Sequence, residues 1–364
     1  MFSSAYGQTV KERKPNFIVI LTDDQSWVGT SFLADPNDPR SKSDYYQTPN
    51  MERLANSGMR MTNGYAPAPF CSPTRKSILT GLTPAKHEYQ KDREHWTKVF
   101  RKQMTIPKIL KTADPEYVTA HFGKWDARYD NFTPEEMGYD FSDGLTSNNT
   151  GGGKKTLQKE GKDIPFPMGE AWPKAYDDPK LIFSLAQRSN DFIETQTKNN
   201  KPFYLQISHY AVHLAITHSK KNINKYSKLK KGQKHFVPAF AAMTEDMDEG
   251  IGILLDKIAA LGIGDNTYIF FLSDNGGRTS IPIGPKQKRD RNFPLRGGKG
   301  SMYEGGLRVP FVVSGPGVSS NTHSDVPVTG LDILPTVARL AGYNDPLPEI
   351  IDGGNLESII HNNG

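Results

Sequence analysis

Two short acidic clusters stand where chemistry could begin. Asp23-Asp24 follows the apolar run from Asn16 to Leu21, and Asp274-Asn275 follows the run from Thr267 to Leu272. Both runs are strand-sized and rich in β-branched or aromatic residues, the pattern of strands buried on both faces. A single Asp-Asp or Asp-Asn pair is ordinarily a turn or a helix cap. Two such pairs, each after a buried strand, point to one hard cation held by four oxygen-bearing side chains. That ligand set suits Ca2+ and also admits Mg2+. His209 and His213 stand four apart, but they follow a strand-like run and lack the glutamate of a zinc-protease helix.

The chain has one cysteine, Cys71, so an intramolecular disulfide is impossible. Its context is Cys71-Ser72-Pro73-Thr74-Arg75, running on to Leu79-Thr80-Gly81. Ser72 is suited to cap a helix, Pro73 to open it and Gly81 to close it. Cys71 then lies at a helix amino terminus with Arg75 about one turn further in, an electropositive setting that predicts a thiol of lowered pKa.

These residues need elements to position them. The sequence predicts strands over 16–21, 59–65, 117–122, 202–208, 267–272 and 309–314, and helices over 49–57, 105–112, 179–198, 236–261 and 330–341. Strands alternate with helices, so the expected fold class is α/β, a large mainly parallel sheet sandwiched by helices. In such sheets ligands bind at the carboxyl ends of strands, where both acidic pairs stand. Residues 142–173 are rich in Gly, Lys, Asn and Pro, show no period, and read as a long loop or insertion.

Composition narrows the field. With 364 residues, 36% hydrophobic and 23% charged, the chain is long enough for a full core and is neither disordered nor fibrous. No apolar run is long enough for a membrane span. A net charge of +5, from 45 basic and 40 acidic residues, is not the footprint of a nucleic-acid binder. Lys220, Lys221, Lys225, Lys228, Lys230, Lys231 and Lys234 form one local excess, either a solvated face or a rim that attracts an anionic polymer. The amino end lacks the basic and apolar regions of a signal peptide, although Ala5-Tyr6-Gly7 has the small-x-small shape of a cleavage site.

Taken together, the motifs resemble the type I, formylglycine-dependent sulfatases of the alkaline phosphatase superfamily. Cys71-Ser72-Pro73-Thr74-Arg75 with its Leu-Thr-Gly ending is similar to the family's signature. Val19 to Gln25 looks like its opening strand and metal pair, and Thr48 to Ala55 like the helix that follows. Gly123-Lys124-Trp125, Ser273 to Gly276, Gly298-Lys299-Gly300 and Tyr303 to Pro310 resemble later blocks in the family's order. The resemblance implies hydrolysis of sulfate esters, on a sulfated carbohydrate or an aryl sulfate. It implies that Cys71 is oxidised to formylglycine by a maturation enzyme, and that the hydrate of that aldehyde is the nucleophile. It assigns Ca2+ to Asp23, Asp24, Asp274 and Asn275. Arg75 would neutralise developing charge and hold the hydrate. Lys124 and Lys299 would bind sulfate oxygens. His213 would protonate the leaving alcohol, with His209 as its competitor. It also implies a periplasmic or extracellular location.

The chain departs from the family in two places. The family usually has histidine two residues after the motif lysine, where this chain has Asp126. That aspartate is either a base for sulfate release or a partner of Arg128. Family members also usually continue into a small carboxyl-terminal subdomain. On this reading residues 1–14 are a tail or signal-peptide remnant, 15–352 the catalytic domain, and 353–364 the start of a largely missing subdomain. Two other functions stay open: a phosphomonoester or phosphodiester hydrolase of the same superfamily, and a non-catalytic protein that binds sulfated glycans.

Overall fold

The computed structural model describes residues 13–87, 100–126, 132–151, 156–159, 162–165, 175–281 and 290–362. Ala5-Tyr6-Gly7 and Arg128 lie outside them. In chain order the elements are β1 (Asn16–Thr22), α1 (Pro49–Asn56), β2 (Met59–Met61), β3 (Gly64–Tyr65), α2 (Cys71–Thr80), α3 (Ile106–Ala113), β4 (Val118–Gly123), β5 (Phe141–Ser142), β6 (Thr156–Lys159), β7 (Lys162–Pro165), α4 (Ile182–Lys198), β8 (Phe203–Ser208), α5 (Lys220–Tyr226), α6 (Pro238–Ala260), β9 (Thr267–Ser273), α7 (Glu304–Leu307), β10 (Phe311–Ser314), β11 (Thr322–Ser324), β12 (Val328–Thr329), α8 (Ile333–Leu340) and α9 (Glu357–His361).

Eight strands form one sheet in the order β11-β2-β10-β9-β1-β8-β4-β5. Every neighbouring pair is parallel except those made by β10, which runs against both β9 and β2. The sheet is therefore mainly parallel and covered on both faces. Along β1, Ile18 and Ile20 enter the core shared with α1, α4 and α6. Phe17, Val19 and Leu21 enter the opposite core, against α2, α3 and α8. A strand buried on both faces has no polar side to alternate, and this is why its sequence reads as a continuous apolar run. Among the described residues no helix is long and apolar enough to cross a membrane.

Several local expectations need correction. Helix α2 starts at Cys71 and not after a Ser72 cap; Phe70, extended at φ −139°, is the residue before it. The Ser72 hydroxyl instead donates to the carbonyl of Asp126 at 3.2 Å. Pro73 is tolerated within the first turn, because the N–H groups there have no intrahelical acceptors. The 59–65 strand breaks into β2 and β3. The 142–173 segment is not structureless throughout, since β6 and β7 pair as an antiparallel hairpin. The helix expected from Pro179 begins as a 3-10 turn with Lys180 at φ 54° and Leu181 at φ 55°, and α4 follows from Ile182. The lysine-rich stretch is partly committed within the fold. Lys221 pairs with Glu249 at 2.7 Å and Lys225 with Glu245 at 2.5 Å, while buried Lys234 donates to the carbonyls of Arg40 and Lys42.

The parallel register brings four strand ends to one level. Thr22 lies beside Ser273, Leu21 beside Ser208, and Gly123 beside Ser208. Gly123 is needed there for two reasons. Its φ is +94°, and a Cβ on it would stand 2.0 Å from the carbonyl oxygen of Ser208. Gly123→Ala should therefore cost about 2–4 kcal/mol through strain and overpacking between β4 and β8. Thermal unfolding checks this; an unchanged melting temperature would show that the two strands can separate freely.

Candidate active site

Strands β1 and β9 end side by side and turn their next residues into one buried space. Asp23, Asp24, Asp274 and Asn275 are all buried. Asp24 takes a left-handed conformation, φ 59°, which aims its N–H at Asp274 Oδ1, 3.2 Å away. Asn275 Nδ2 donates to Asp24 Oδ1 at 2.8 Å. One carboxylate oxygen from each of the three aspartates and the Cys71 sulfur lie within 4.8 Å of one another. Two buried oxygens, Asp24 Oδ2 and Asn275 Oδ1, have no hydrogen-bond partner. An unpaired buried oxygen is costly, so two of them inside a cluster of carboxylates fit a cation that binds through oxygen. The sulfur is a poor ligand for such an ion; the four oxygen donors suffice without it.

Cations of the chain surround this cluster. Lys124, the residue after β4, is fully buried with Nζ 2.7 Å from Asp23 Oδ2. Lys299 reaches Asp24 Oδ1 at 2.5 Å. Arg75 points from the second turn of α2, with Nη2 2.7 Å from Asp274 Oδ2 and Nη1 donating to the Lys124 carbonyl at 2.7 Å. Burial alone would raise the Asp23 carboxyl, yet Lys124, His213, Arg75 and Lys299 hold it well below the usual carboxylate range. For Lys124 burial opposes the charge, but Asp23, Cys71 and Asp126 together outweigh it and keep the ammonium above the ordinary lysine range. Asp274 behaves differently. Burial, reinforced by the negative charge of Asp23, pushes it up to about 6 against the pull of Arg75 and Lys124.

Cys71 is the first residue of α2, as its spacing suggested, but its chemistry is not that of a reactive thiolate. Burial pushes the thiol well up, and Asp23 and Asp274 push it further, against Lys124 and Lys299. The sulfur lies 3.5 Å from Asp23 Oδ1 and 3.2 Å from Lys299 Nζ. The expectation of a lowered pKa considered the helix terminus and Arg75; it could not include carboxylates brought in from β1 and β9.

His213 sits closer to the cluster than its competitor. Its Nε2 is 3.9 Å from Asp24 Oδ2, and its Nδ1 lies 2.5 Å from the carbonyl of Leu214. Burial lowers its pKa, and Asp23 and Asp24 only partly restore it. His209 is also buried, with Nδ1 unpartnered, and burial lowers it to about 4. Asp126 does enter the site. It is buried at φ 62°, and its Oδ2 is 3.7 Å from Lys124 Nζ.

One neighbour was not legible beforehand. Asn148 places Nδ2 3.4 Å from His213 Nε2, and its Oδ1 is buried without a partner. It lies in the aperiodic segment, where nothing in the residue pattern distinguishes one asparagine from the next.

Comparison with known proteins agrees with this geometry. The sulfatase family profile matches residues 15–343. A sulfatase of Formosa agariphila is 30% identical, covering 98% of this chain and 74% of its own length. Human N-acetylgalactosamine-6-sulfatase is 27% identical over 96% of this chain and 66% of itself, so the chain spans about two thirds of that relative. The crystal structure of the PsFucS1 sulfatase from Pseudoalteromonas sp. superimposes with a TM-score of 0.73 at 26% identity, covering 96% of this chain and 72% of that one. A profile match over nearly the whole chain, motifs in matching order and a shared fold place this chain in the sulfatase family.

Proposed function

We propose that this chain hydrolyses sulfate esters of a sulfated carbohydrate. One observation carries the reading: Cys71 at the start of α2 shares a buried cluster with three carboxylates, two of whose neighbouring oxygens lack partners, beside Lys124 and Lys299. The sugar named for the human relative supports a carbohydrate substrate. Membership in the family favours a periplasmic or extracellular location.

Asp23, Asp24, Asp274 and Asn275 would hold Ca2+. The ion supplies Lewis acidity toward sulfate oxygens. Formylglycine, made from Cys71 by a maturation enzyme, supplies a hydrated aldehyde whose hydroxyl is the nucleophile. The other residues do work of their own. Arg75 is held in a fixed orientation by Asp274 and the Lys124 carbonyl. Lys124 and Lys299, paired here with Asp23 and Asp24, would offer compact positive charges to the sulfate oxygens. His213 delivers a proton to the departing alcohol as the sulfur–oxygen ester bond breaks. Asp126 accepts the proton that must leave before inorganic sulfate is released.

Metal removal tests the ligand set. Asp274→Ala should weaken Ca2+ binding by at least about 100-fold, read by calorimetry. Wild-type affinity in that variant would dismiss the site.

Cys71→Ala should abolish sulfate-ester hydrolysis while changing stability by only about 1 kcal/mol. The mass of the Cys71 peptide from active protein should be that of formylglycine. Retained activity in the variant would exclude covalent catalysis, and phosphate-ester turnover exceeding sulfate-ester turnover would favour the phosphohydrolase reading. Tight binding of a sulfated glycan with no turnover by matured protein would favour a non-catalytic binder.

Rapid kinetics separates the two proton-transfer residues. His213→Ala should slow alcohol release, more for a sugar sulfate than for an aryl sulfate with an acidic leaving group. Asp126→Asn should leave alcohol release fast and delay inorganic sulfate, giving a burst. Unchanged sulfate release in Asp126→Asn would assign the second proton to another group or to water.

A further inference from the structure

Asn148 stands beside the proton donor assigned to the leaving group, and the reaction as described gives it no task. It lies in a turn held at both ends against the active site. At one end Thr146 Oγ1 donates to the carbonyl of Gly123 and accepts from the N–H of Trp125 at 2.9 Å. The Thr146 carbonyl accepts from the N–H of Asp126 at 2.9 Å. At the other end Gly151 packs directly on Tyr210, three residues before His213; a Cβ on this glycine would stand 2.4 Å from a ring carbon. Between them the Ser147 N–H donates to Thr150 Oγ1 at 3.1 Å, and the Thr150 N–H to the Ser147 carbonyl at 3.0 Å, which closes the turn. The stretches that carry Lys124 and His213 therefore fix Asn148, although no helix or strand contains it.

The surroundings of His213 decide which of its nitrogens is free to work. Nδ1 lies 2.5 Å from the Leu214 carbonyl, so it carries a hydrogen and donates there. Nε2 is then the nitrogen that serves the leaving alcohol, and Asn148 Nδ2 donates to it over a long 3.4 Å. The ester oxygen must approach the same nitrogen, so Asn148 borders the leaving group. The other pole of the amide is idle: Oδ1 is buried and has no partner. A buried oxygen without a donor calls for an explanation, and here it faces no charge of its own that would supply one. A hydroxyl of the substrate would satisfy it.

We propose that Asn148 is a specificity-determining residue whose Oδ1 accepts a hydrogen bond from the leaving sugar, from the hydroxyl nearest the sulfate ester. The proposal rests on the sulfate-ester reading and on His213 as the proton donor. Geometry selects that hydroxyl. Nδ2 is at His213 Nε2, and only the amide carbon separates Oδ1 from Nδ2, so Oδ1 reaches one substituent beyond the ester oxygen. A site built around a buried polar group rejects an analogue that leaves the group unpaired.

The test uses matured, Ca2+-loaded protein and the variant Asn148→Leu, which is close in size and has no polar atom. The probes are the monosulfate of galactose or N-acetylgalactosamine that the native protein turns over fastest, and the same sugar made deoxy at the hydroxyl nearest the ester. For the native protein, kcat/KM should fall about 10-fold or more on deoxygenation. Asn148→Leu should lose about 10-fold or more on the intact sugar and less than about 2-fold on the deoxy sugar, so that it no longer separates the two. Asn148→Ala, which cannot crowd the pocket, should repeat the pattern if the leucine variant has a lowered melting temperature. Equal losses on both sugars overturn the proposal, because Asn148 would then only position His213. Unchanged kcat/KM on both sugars overturns it as well. Native protein that binds these sugars without hydrolysing them removes the enzymatic reading alone; the comparison is then made in Kd by calorimetry, where lost discrimination in the variant upholds Asn148 and kept discrimination overturns it. Native protein that neither binds nor hydrolyses any of them overturns both.

Discussion

Asp23, Asp24 and Asp274 lie side by side where bulk water does not reach, and the need to compensate those three charges organises everything around them. A buried carboxylate is tolerated only when paired and hydrogen-bonded. Arg75, Lys124 and Lys299 provide one cation for each, drawn from α2, the end of β4 and the loop before α7. No two of these are near in sequence. The pairing therefore ties elements from the whole length of the chain to the ends of β1 and β9, and the sheet register is what brings them within reach. Breaking any one pair would leave an uncompensated charge, so the cluster is a set of constraints on the fold.

Helix α2 illustrates the cost of that arrangement. All ten of its residues are buried, although its sequence is mostly polar. Its hydroxyl side chains all find partners: Ser72 on the Asp126 carbonyl, Thr74 on the Ala68 carbonyl, Ser77 with His87, and Thr80 on the Lys76 carbonyl. Gly81, left-handed at φ 68°, closes the last turn as a C-cap. A helix designed only for packing would be apolar on its core face. This one instead secures Cys71 and Arg75 from every side, and it is this rigidity that lets a single residue at its start meet three carboxylates from other strands.

The parts of this arrangement that were readable in the sequence are those with local signatures. Continuous apolar runs announced β1, β8 and β9 because burial on both faces removes alternation. The acidic pairs announced the buried carboxylate cluster because they stand immediately after two such runs. Lys124, Lys299 and His213 carry no local signal of that kind and were found only through the order of motifs. The start of α2 was misplaced because Ser72 and Pro73 are good cap and first-turn residues in isolation. The hydroxyl that would have capped the helix bonds to Asp126 across the pocket, a tertiary contact that local preference cannot include. Asn148 and the left-handed turn at Lys180 were invisible for the same reason: both are set by contacts with the segment after β8, Asn148 at His213 and Lys180 at Thr217.

The electrostatics of Cys71 connect these observations. A helix amino terminus and two nearby lysines ordinarily activate a thiol. Here burial raises the thiol most, and Asp23 and Asp274 add to it against Lys124 and Lys299, so the thiol is held well above its ordinary range. Without an ion among them, the carboxylates that would attract it also repel the anion the sulfur would become. An uncharged precursor that gives up its proton only as the bond to sulfur forms escapes this conflict. Both features, the clustered carboxylates and the raised thiol, follow from the same packing of β1, β9 and α2.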